Sequence, residues 1–109
     1  MRKQDALQGS LPLLVLKVLE RRGPLHGYAI TAHIERLSDE VLRVEEGSLY
    51  PALYRMEEDG WIKAQWKVTE NKRRARVYGI TAKGRRELEA AQGRWRQVSG
   101  AVAQVLEQA

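Results

Sequence analysis

The feature that most constrains this sequence is a change in the spacing of its apolar residues at Gly60. Before this glycine, apolar residues recur every three or four positions, which predicts helices. After it they alternate with polar residues, which predicts a half-buried strand with Ile62, Ala64, Trp66 and Val68 on one face and Lys63, Gln65, Lys67 and Thr69 on the other. From Thr81 onward the helical spacing returns. The chain is therefore expected to form helices, then a hairpin, then a last helix.

The first two helices are delimited by glycine and proline. Gly23 and Pro24 end a first helix near Arg22, and its apolar face is formed by Leu11, Leu14, Val15, Val18 and Leu19. A second, amphipathic helix is predicted from His26 or Gly27 to Leu37. Its apolar positions are Tyr28, Ile30, Ile34 and Leu37. After it, Val41, Leu42 and Val44 predict a brief extended segment before Gly47.

The third helix is located by a proline. Pro51 is tolerated only in a first turn, so the helix should start between Gly47 and Tyr50, with Ser48 as its N-cap, and end before Gly60. Leu49, Leu53 and Met56 form its apolar face. The opposite face offers hydroxyl groups and a guanidinium, which is unusual for a merely solvated face. These residues are Ser48, Tyr50, Tyr54 and Arg55.

The hairpin that follows concentrates the positive charge of the chain. Its return strand is predicted at residues 75–80, so the tip reads Glu-Asn-Lys-Arg-Arg. Residues 61–81 hold six basic residues and one acid, which gives this segment +5, the formal net charge of the whole chain. A compact basic segment on an otherwise balanced domain is typical of a nucleic-acid-binding protein, the alternative being a solvated hairpin without a partner.

The last helix, after a predicted N-cap at Thr81, carries a heptad-like apolar seam. Its members are Leu88, Ala91, Trp95, Val98, Val102 and Val105. Such a seam predicts a partner helix, either the same helix or the first helix of a second subunit. The alternative is that the helix only packs on its own domain, and Gly93 and Gly100 weaken it as an independent coiled coil.

Several classes of protein are excluded or disfavoured by what the sequence lacks. With 109 residues the chain fits one domain, and no cysteine is available for a disulfide, a thiolate metal site or a nucleophile. No apolar run is long enough to span a bilayer, and the start does not read as a signal peptide, so we expect a cytoplasmic protein. His26 and His33 lie about 10 Å apart on a helix, too far for a metal pair, and His26 is expected to cap or pack at the helix start. No catalytic triad or phosphate loop is present, so neither an enzyme nor a cofactor is expected.

The order of elements is that of a winged helix-turn-helix domain followed by a dimerisation helix. The expected fold class is mainly α with a small β-hairpin, with residues 1–81 as the DNA-binding domain and 82–109 as the dimerisation helix. A helix fits the major groove of B-DNA, so Ser48, Tyr50, Tyr54 and Arg55 can meet bases and phosphates. The cationic tip can neutralise backbone phosphates through Lys72, Arg73, Arg74 and Arg76. Tyr50 and Tyr54 could instead be packing residues, and Trp61 and Trp66 are expected in a core or an interface.

Five stretches of the chain resemble the PadR family of bacterial transcriptional regulators, in its short form with a single C-terminal helix. They are Gly-Pro-Leu-His-Gly-Tyr at 23–28, Glu-Gly-Ser-Leu-Tyr-Pro-Ala-Leu-Tyr-Arg-Met-Glu at 46–57, Asp-Gly-Trp-Ile at 59–62, Arg-Arg-Ala-Arg-Val-Tyr at 73–78 and the Thr-x-x-Gly of 81–84. Lys67, Val77 and Gly79 differ from the residues usual in the family at these positions. The resemblance therefore does not define the exact twist of the wing.

The resemblance implies a homodimeric repressor that binds a palindromic operator through its third helix and its wing. It also implies a small aromatic effector, because short members of the family can bind flat aromatic molecules at a tryptophan pair corresponding to Trp95. Val98 and Val102 would then supply the apolar walls, although Trp95 could equally be a packing residue of the seam. Two other functions stay open: a winged-helix module for protein interaction without an effector, and a ligand or metal sensor of another winged-helix family.

Overall fold

The computed structural model describes residues 3–68 and 70–109, so the strand position predicted for Thr69 lies outside the described residues. Four helices and three strands follow one another along the chain. They are α1 (Lys3–Arg22), β1 (Leu25–His26), α2 (Gly27–Leu37), α3 (Glu46–Glu58), β2 (Ile62–Val68), β3 (Arg74–Ile80) and α4 (Ala82–Gln108). The strands form one antiparallel sheet in the order β1-β3-β2. The expected fold class, mainly helical with a small hairpin, is confirmed.

Glycines with a positive φ follow α1 and α3, and side-chain caps begin α2 and α4. Gly23 adopts a φ of 82° directly after α1, and Gly60 one of 78° after α3, conformations that side chains with a Cβ rarely adopt. The His26 Nδ1 accepts a hydrogen bond of 3.2 Å from the backbone N–H of Ala29, so His26 caps α2 as predicted. Thr81 caps α4, because its hydroxyl accepts from the Gly84 N–H at 3.0 Å.

The predicted start of α3 was wrong. The helix begins at Glu46 behind Glu45, which makes no side-chain cap hydrogen bond, so Ser48 is a residue of the first turn and not the N-cap. Pro51 consequently lies in the second turn, where it lacks the N–H that would bond to the carbonyl of Gly47. Gly47 is exposed, so water can take the place of that donor.

The brief extended segment predicted at Val41 to Val44 is not a strand of the sheet but part of the loop between α2 and α3. Val44 is buried in the core, and its backbone N–H donates to Glu35 Oε2 at 3.1 Å, so this loop is held by α2 instead of by a sheet. The third strand of the sheet is β1, whose Leu25 pairs with Tyr78 and whose His26 pairs with Val77. Two residues are too few to show any alternation in the sequence.

The core lies where α1, α2 and α3 meet the inner half of the sheet. Leu88 anchors the start of α4 in it, while Ile62 and Tyr78 are contributed by the strands. The buried residues from the helices and the α2–α3 loop include Leu11, Val15, Leu16, Leu19, Ile30, Ile34, Val44, Leu49, Leu53 and Met56. On α2, the buried positions are Gly27, Ile30 and Ile34. Tyr28 and Leu37 are exposed, contrary to their predicted place on the apolar face.

From Gly93 onward, every residue of α4 is exposed in the single chain. The helix has 27 residues, about 40 Å of length, and the molecule is accordingly 58 Å long against 28 and 21 Å in the other directions. Trp95, Val98, Val102 and Val105 are all more than half exposed in the single chain. Among the described residues, no helix combines the length and the apolar character needed to cross a membrane.

Candidate nucleic-acid interface

The hairpin of β2 and β3 extends past the core as a wing. The face of the sheet that packs on the helices carries Ile62 opposite Ile80 and Ala64 opposite Tyr78. The next pairs on the same face, Trp66 with Arg76 and Val68 with Arg74, are exposed. The predicted half-buried strand is therefore correct for the inner half of β2 only. In the outer half of the hairpin, β2 exposes the Trp66 ring and β3 exposes the guanidinium groups of Arg74 and Arg76.

An open groove of about 580 Å³ separates the wing from the helices. We call it the wing groove. Aromatic and cationic side chains from α2, α3 and both strands meet there, and its lining consists of His26, Gly27, Tyr28, Tyr50, Trp66, Arg73, Arg74, Ala75, Arg76 and Tyr78. Cations beside exposed aromatic rings are the combination by which proteins hold phosphates and stack on nucleobases.

Tyr50 is held in the wing groove by the absence of a side chain at Gly27. A Cβ at this position would lie 2.8 Å from the Tyr50 Oη and 3.1 Å from two of its ring carbons, which is closer than van der Waals contact. The tyrosine ring therefore lies against the backbone at the start of α2 and is 45% exposed. Gly27 thus leaves room for the Tyr50 ring, which any larger residue at this position would displace.

The tip of the wing is organised around Trp66. The guanidinium of Arg74 lies 5.0 Å from the centre of the Trp66 ring, a cation–π contact, and the ring is 59% exposed. Lys72 adopts a φ of 57°, which turns the chain back at the tip. Of the two places predicted for Trp66, a core or an interface, its exposure rules out the core and leaves the interface as a prediction.

Unlike Arg74 at the tip, whose guanidinium lies over the Trp66 ring, Arg76 forms an ion pair with a residue of α3. Its Nη2 donates to both carboxylate oxygens of Glu57 on α3, at 2.8 and 3.2 Å. Its guanidinium also lies 5.7 Å from the centre of the Tyr78 ring. Burial raises the pKa of the Tyr78 hydroxyl above its ordinary value.

The structure brings together only part of the predicted site. Tyr50 lines the same groove as Arg73, Arg74 and Arg76. Lys72 is exposed at the tip, and Tyr54 is exposed one turn after Tyr50. Ser48 and Arg55 line a separate depression of about 220 Å³ between α3 and α1, together with Leu11, Pro12, Gly47, Pro51 and Ala52.

Three candidate residues of the wing groove were missed by the sequence analysis. Tyr28 was placed on an apolar face, but it lies two positions before Ile30, nearly opposite on a helix, and it is 77% exposed. Trp66 continues the alternation of a buried strand without being buried. Gly27 gave no signal, because its role depends on a ring that is distant in sequence.

The predicted effector residues lie elsewhere, on α4. Trp95 and Val98 border a shallow groove of about 220 Å³ between the two helices α1 and α4, with Gly9, Ser10, Leu13, Ala91 and Arg94. Val102 is exposed one turn further on. Within residues 3–68 and 70–109, no group of three acidic, histidine or cysteine residues is placed to hold a metal ion.

The sequence is similar to known transcriptional regulators. The model of the transcriptional regulator PadR-like family matches residues 15–90. An uncharacterized 37.1 kDa protein in a transposon of Streptomyces fradiae is 40% identical over 94% of this chain, and a transcriptional regulator of Mycobacterium tuberculosis is 39% identical over 59%. The matched region spans 26% of the first relative and 56% of the second.

Solved structures agree over nearly the whole chain. A transcriptional regulator from Clostridium thermocellum superposes with a TM-score of 0.83 at 28% identity, covering 92% of this chain and 96% of its own. A PadR-like transcriptional regulator from Bacillus cereus gives 0.81 at 28% identity, covering 96% and 99%. Since the family model matches well over half of the residues, the chain belongs to the PadR-like family of transcriptional regulators, which is not a family of enzymes.

Proposed function

We propose that this regulator is a repressor that binds a palindromic operator as a homodimer. The observation that carries the proposal is the wing groove, in which the aromatic rings of α2 and α3 meet the cations of the wing beside the exposed face of α3. A recognition helix in the major groove and a cationic hairpin on the adjacent backbone together form a reader of duplex DNA.

The proposed contacts divide according to where each residue lies. Tyr50, Tyr54 and Arg55 are exposed on α3 and Ser48 is half-buried in its first turn. We assign all four to the major groove and its flanking phosphates. Lys72, Arg73 and Arg74 are at the wing tip and are assigned to the phosphate backbone. To these we add Tyr28, which is exposed on the opposite wall of the wing groove.

The homodimer is proposed from the second half of α4. Valine side chains and Trp95 along one face of this helix are bare in the single chain, and burying them against a second copy would remove apolar area from water. A two-fold dimer presents two recognition helices to two half-sites, which is why a palindrome is expected. The domain division at residues 81 and 82 belongs to this proposal.

The proposal also includes a small aromatic effector that binds at the dimer interface. In a symmetric dimer, two Trp95 rings that face each other across the axis could hold a planar molecule, with Val98 and Val102 as apolar walls. The exposure of Trp95, 54% of its surface, is the observation that supports it. Titration of planar aromatic compounds against tryptophan emission, in the wild type and in Trp95→Leu, tests it; quenching that persists in the variant contradicts it.

The test of the main proposal is a selection of duplexes from a random DNA library, followed by footprinting upstream of the protein's own gene. Enrichment of a two-fold symmetric sequence, with half-sites about 10 base pairs apart or a multiple of that spacing, is expected. Failure to enrich any sequence would favour the alternative, a winged-helix module that binds another protein. Binding to a protein that survives high salt would support this alternative further.

A further inference from the structure

An ion pair ties the wing to the recognition helix. Arg76 is in the middle of β3, and Glu57 is in the last turn of α3, 19 residues earlier. The Glu57 side chain is only 18% exposed and that of Arg76 is 45% exposed, so the pair is partly shielded from water. Contacts to both carboxylate oxygens, together with the stacking of the guanidinium on Tyr78, restrict its orientation as well as its distance.

The ion pair gives Arg76 a different role from the other cations of the wing. A phosphate that bound Arg76 would have to compete with a carboxylate already in contact with it. The pair also joins the wing to α3 beyond the last core contacts of the sheet, which are made at Ala64 and Tyr78. Without it, the outer half of the wing would be fixed to α3 less firmly.

We infer that Arg76 is a positioning residue of the DNA interface, which through Glu57 fixes the angle between the wing and α3, and that it is not a phosphate contact. The inference rests on the proposed function, since the angle matters only if both elements engage one stretch of duplex. Specific binding requires α3 and the wing tip to fit simultaneously, whereas non-specific binding requires only cations near phosphates.

The two roles of Arg76 predict opposite effects of Glu57→Gln. If Arg76 held a phosphate, removing the acid would free the guanidinium and lower the negative charge near DNA, so binding would strengthen. If Arg76 positions the wing, Glu57→Gln removes the charge and one acceptor oxygen from the same link that Arg76→Gln disrupts, and binding weakens. Glutamine has nearly the shape of glutamate, so the fold should be retained, and the thermal unfolding midpoint of each variant is measured alongside.

The experiment measures fluorescence anisotropy with two duplexes, the operator obtained by selection and a random duplex of the same length. We expect Glu57→Gln and Arg76→Gln each to weaken operator binding about tenfold, with a smaller effect on the random duplex, and the double variant to be no worse than either single one. Arg73→Gln is the matched control; it should weaken both duplexes alike and reduce the salt slope by about one.

Amide hydrogen exchange gives a second readout without DNA. Exchange should quicken in both single variants at residues 65–68 and 74–77, but not at the core pair Ile62 and Ile80. Unchanged or tighter operator binding by Glu57→Gln would overturn the inference while leaving the proposed function intact. A wild type that does not distinguish the two duplexes would overturn the proposed function and the inference with it.

Discussion

Gly84 is the residue at which the start of α4 meets the hairpin most closely. A Cβ built at this position overlaps the backbone carbonyl of Trp61 and lies 2.9 Å from the Ile80 Cγ1. The same turn is capped by Thr81, whose hydroxyl donates to the carbonyl of Gly60 at 2.6 Å. The Thr-x-x-Gly motif is thus explained by packing: the threonine caps the helix, and the glycine lets it approach the strand.

Gly84→Ala should therefore destabilise the protein. The overlap is with backbone, which cannot move aside, so we expect the free energy of unfolding to fall by about 1–3 kcal/mol or more. Urea denaturation measures this. Gly93→Ala in the same helix is the control, because a Cβ there meets nothing within 4 Å, and it should leave stability unchanged or raise it by up to about 1 kcal/mol. Equal losses in the two variants would contradict this packing role.

Gly27→Ala should affect function more than stability. The added methyl group meets the far end of the Tyr50 side chain, which can move, so the fold survives while the ring leaves its place in the wing groove. Operator affinity, measured by anisotropy, should fall about fivefold to tenfold, and Tyr50→Ala combined with Gly27→Ala should be no weaker than Tyr50→Ala alone. Additive losses would show that Gly27 acts independently of Tyr50.

Among the elements, the wing has the most distinctive division of roles. Its inner half belongs to the core, its middle is paired with α3 through Arg76, and its tip carries Lys72, Arg73 and Arg74. Three like charges on one exposed turn repel one another, and an anionic partner would relieve that repulsion.

Replacing Arg73 and Arg74 with alanine should weaken binding to operator and random DNA alike. The slope of log affinity against log salt should become shallower by about one for each phosphate that the wing no longer neutralises. Anisotropy titrations at several salt concentrations measure it, with Lys17→Ala as a control on α1, outside the residues that line the wing groove. A slope that does not change would mean that the tip does not reach the backbone.

The apolar seam in the second half of α4 is the predicted dimer interface. Val98→Asp with Val102→Asp places two charges on the apolar seam but touches no core residue, so sedimentation should show a folded monomer instead of a dimer. A truncation after Gly84 would be less clear, since it also removes the buried Leu88. Gln97→Asp with Gln104→Asp, on the opposite side of the helix, should leave a dimer. A dimer that tolerates aspartate at both valines would contradict the seam as the interface.

The ends of helices could be predicted from the sequence where a capping residue or a glycine determines them. Gly23, Gly60 and Thr81 ended or began elements as predicted, and His26 capped α2. Contacts between different helices and strands could not be predicted from the sequence, because they join residues that are distant along the chain. The alternation of β2 runs unchanged from the buried Ile62 to the exposed Trp66, because a strand keeps its period whether or not a helix covers it. The pair of Glu57 and Arg76 likewise follows from the packing of α3 beside β3.

At the scale of the whole molecule, the chain divides its surface between two ends. The wing groove and the exposed face of α3 form a cationic and aromatic surface at one part of the domain, while α4 projects a bare apolar seam from another. A dimer formed through the seam would set the distance between two such DNA-binding surfaces, and any molecule bound at Trp95 would act on that distance.

Sequence-specific binding of duplex DNA can be measured by comparing the selected operator with a scrambled duplex of the same composition over a range of about 50–200 mM salt. We expect the protein to bind the operator at least about a thousandfold more tightly than the scrambled duplex at physiological salt, and both affinities to fall steeply as the salt concentration rises. Equal affinities for the two duplexes, or affinities that do not depend on salt, would contradict it.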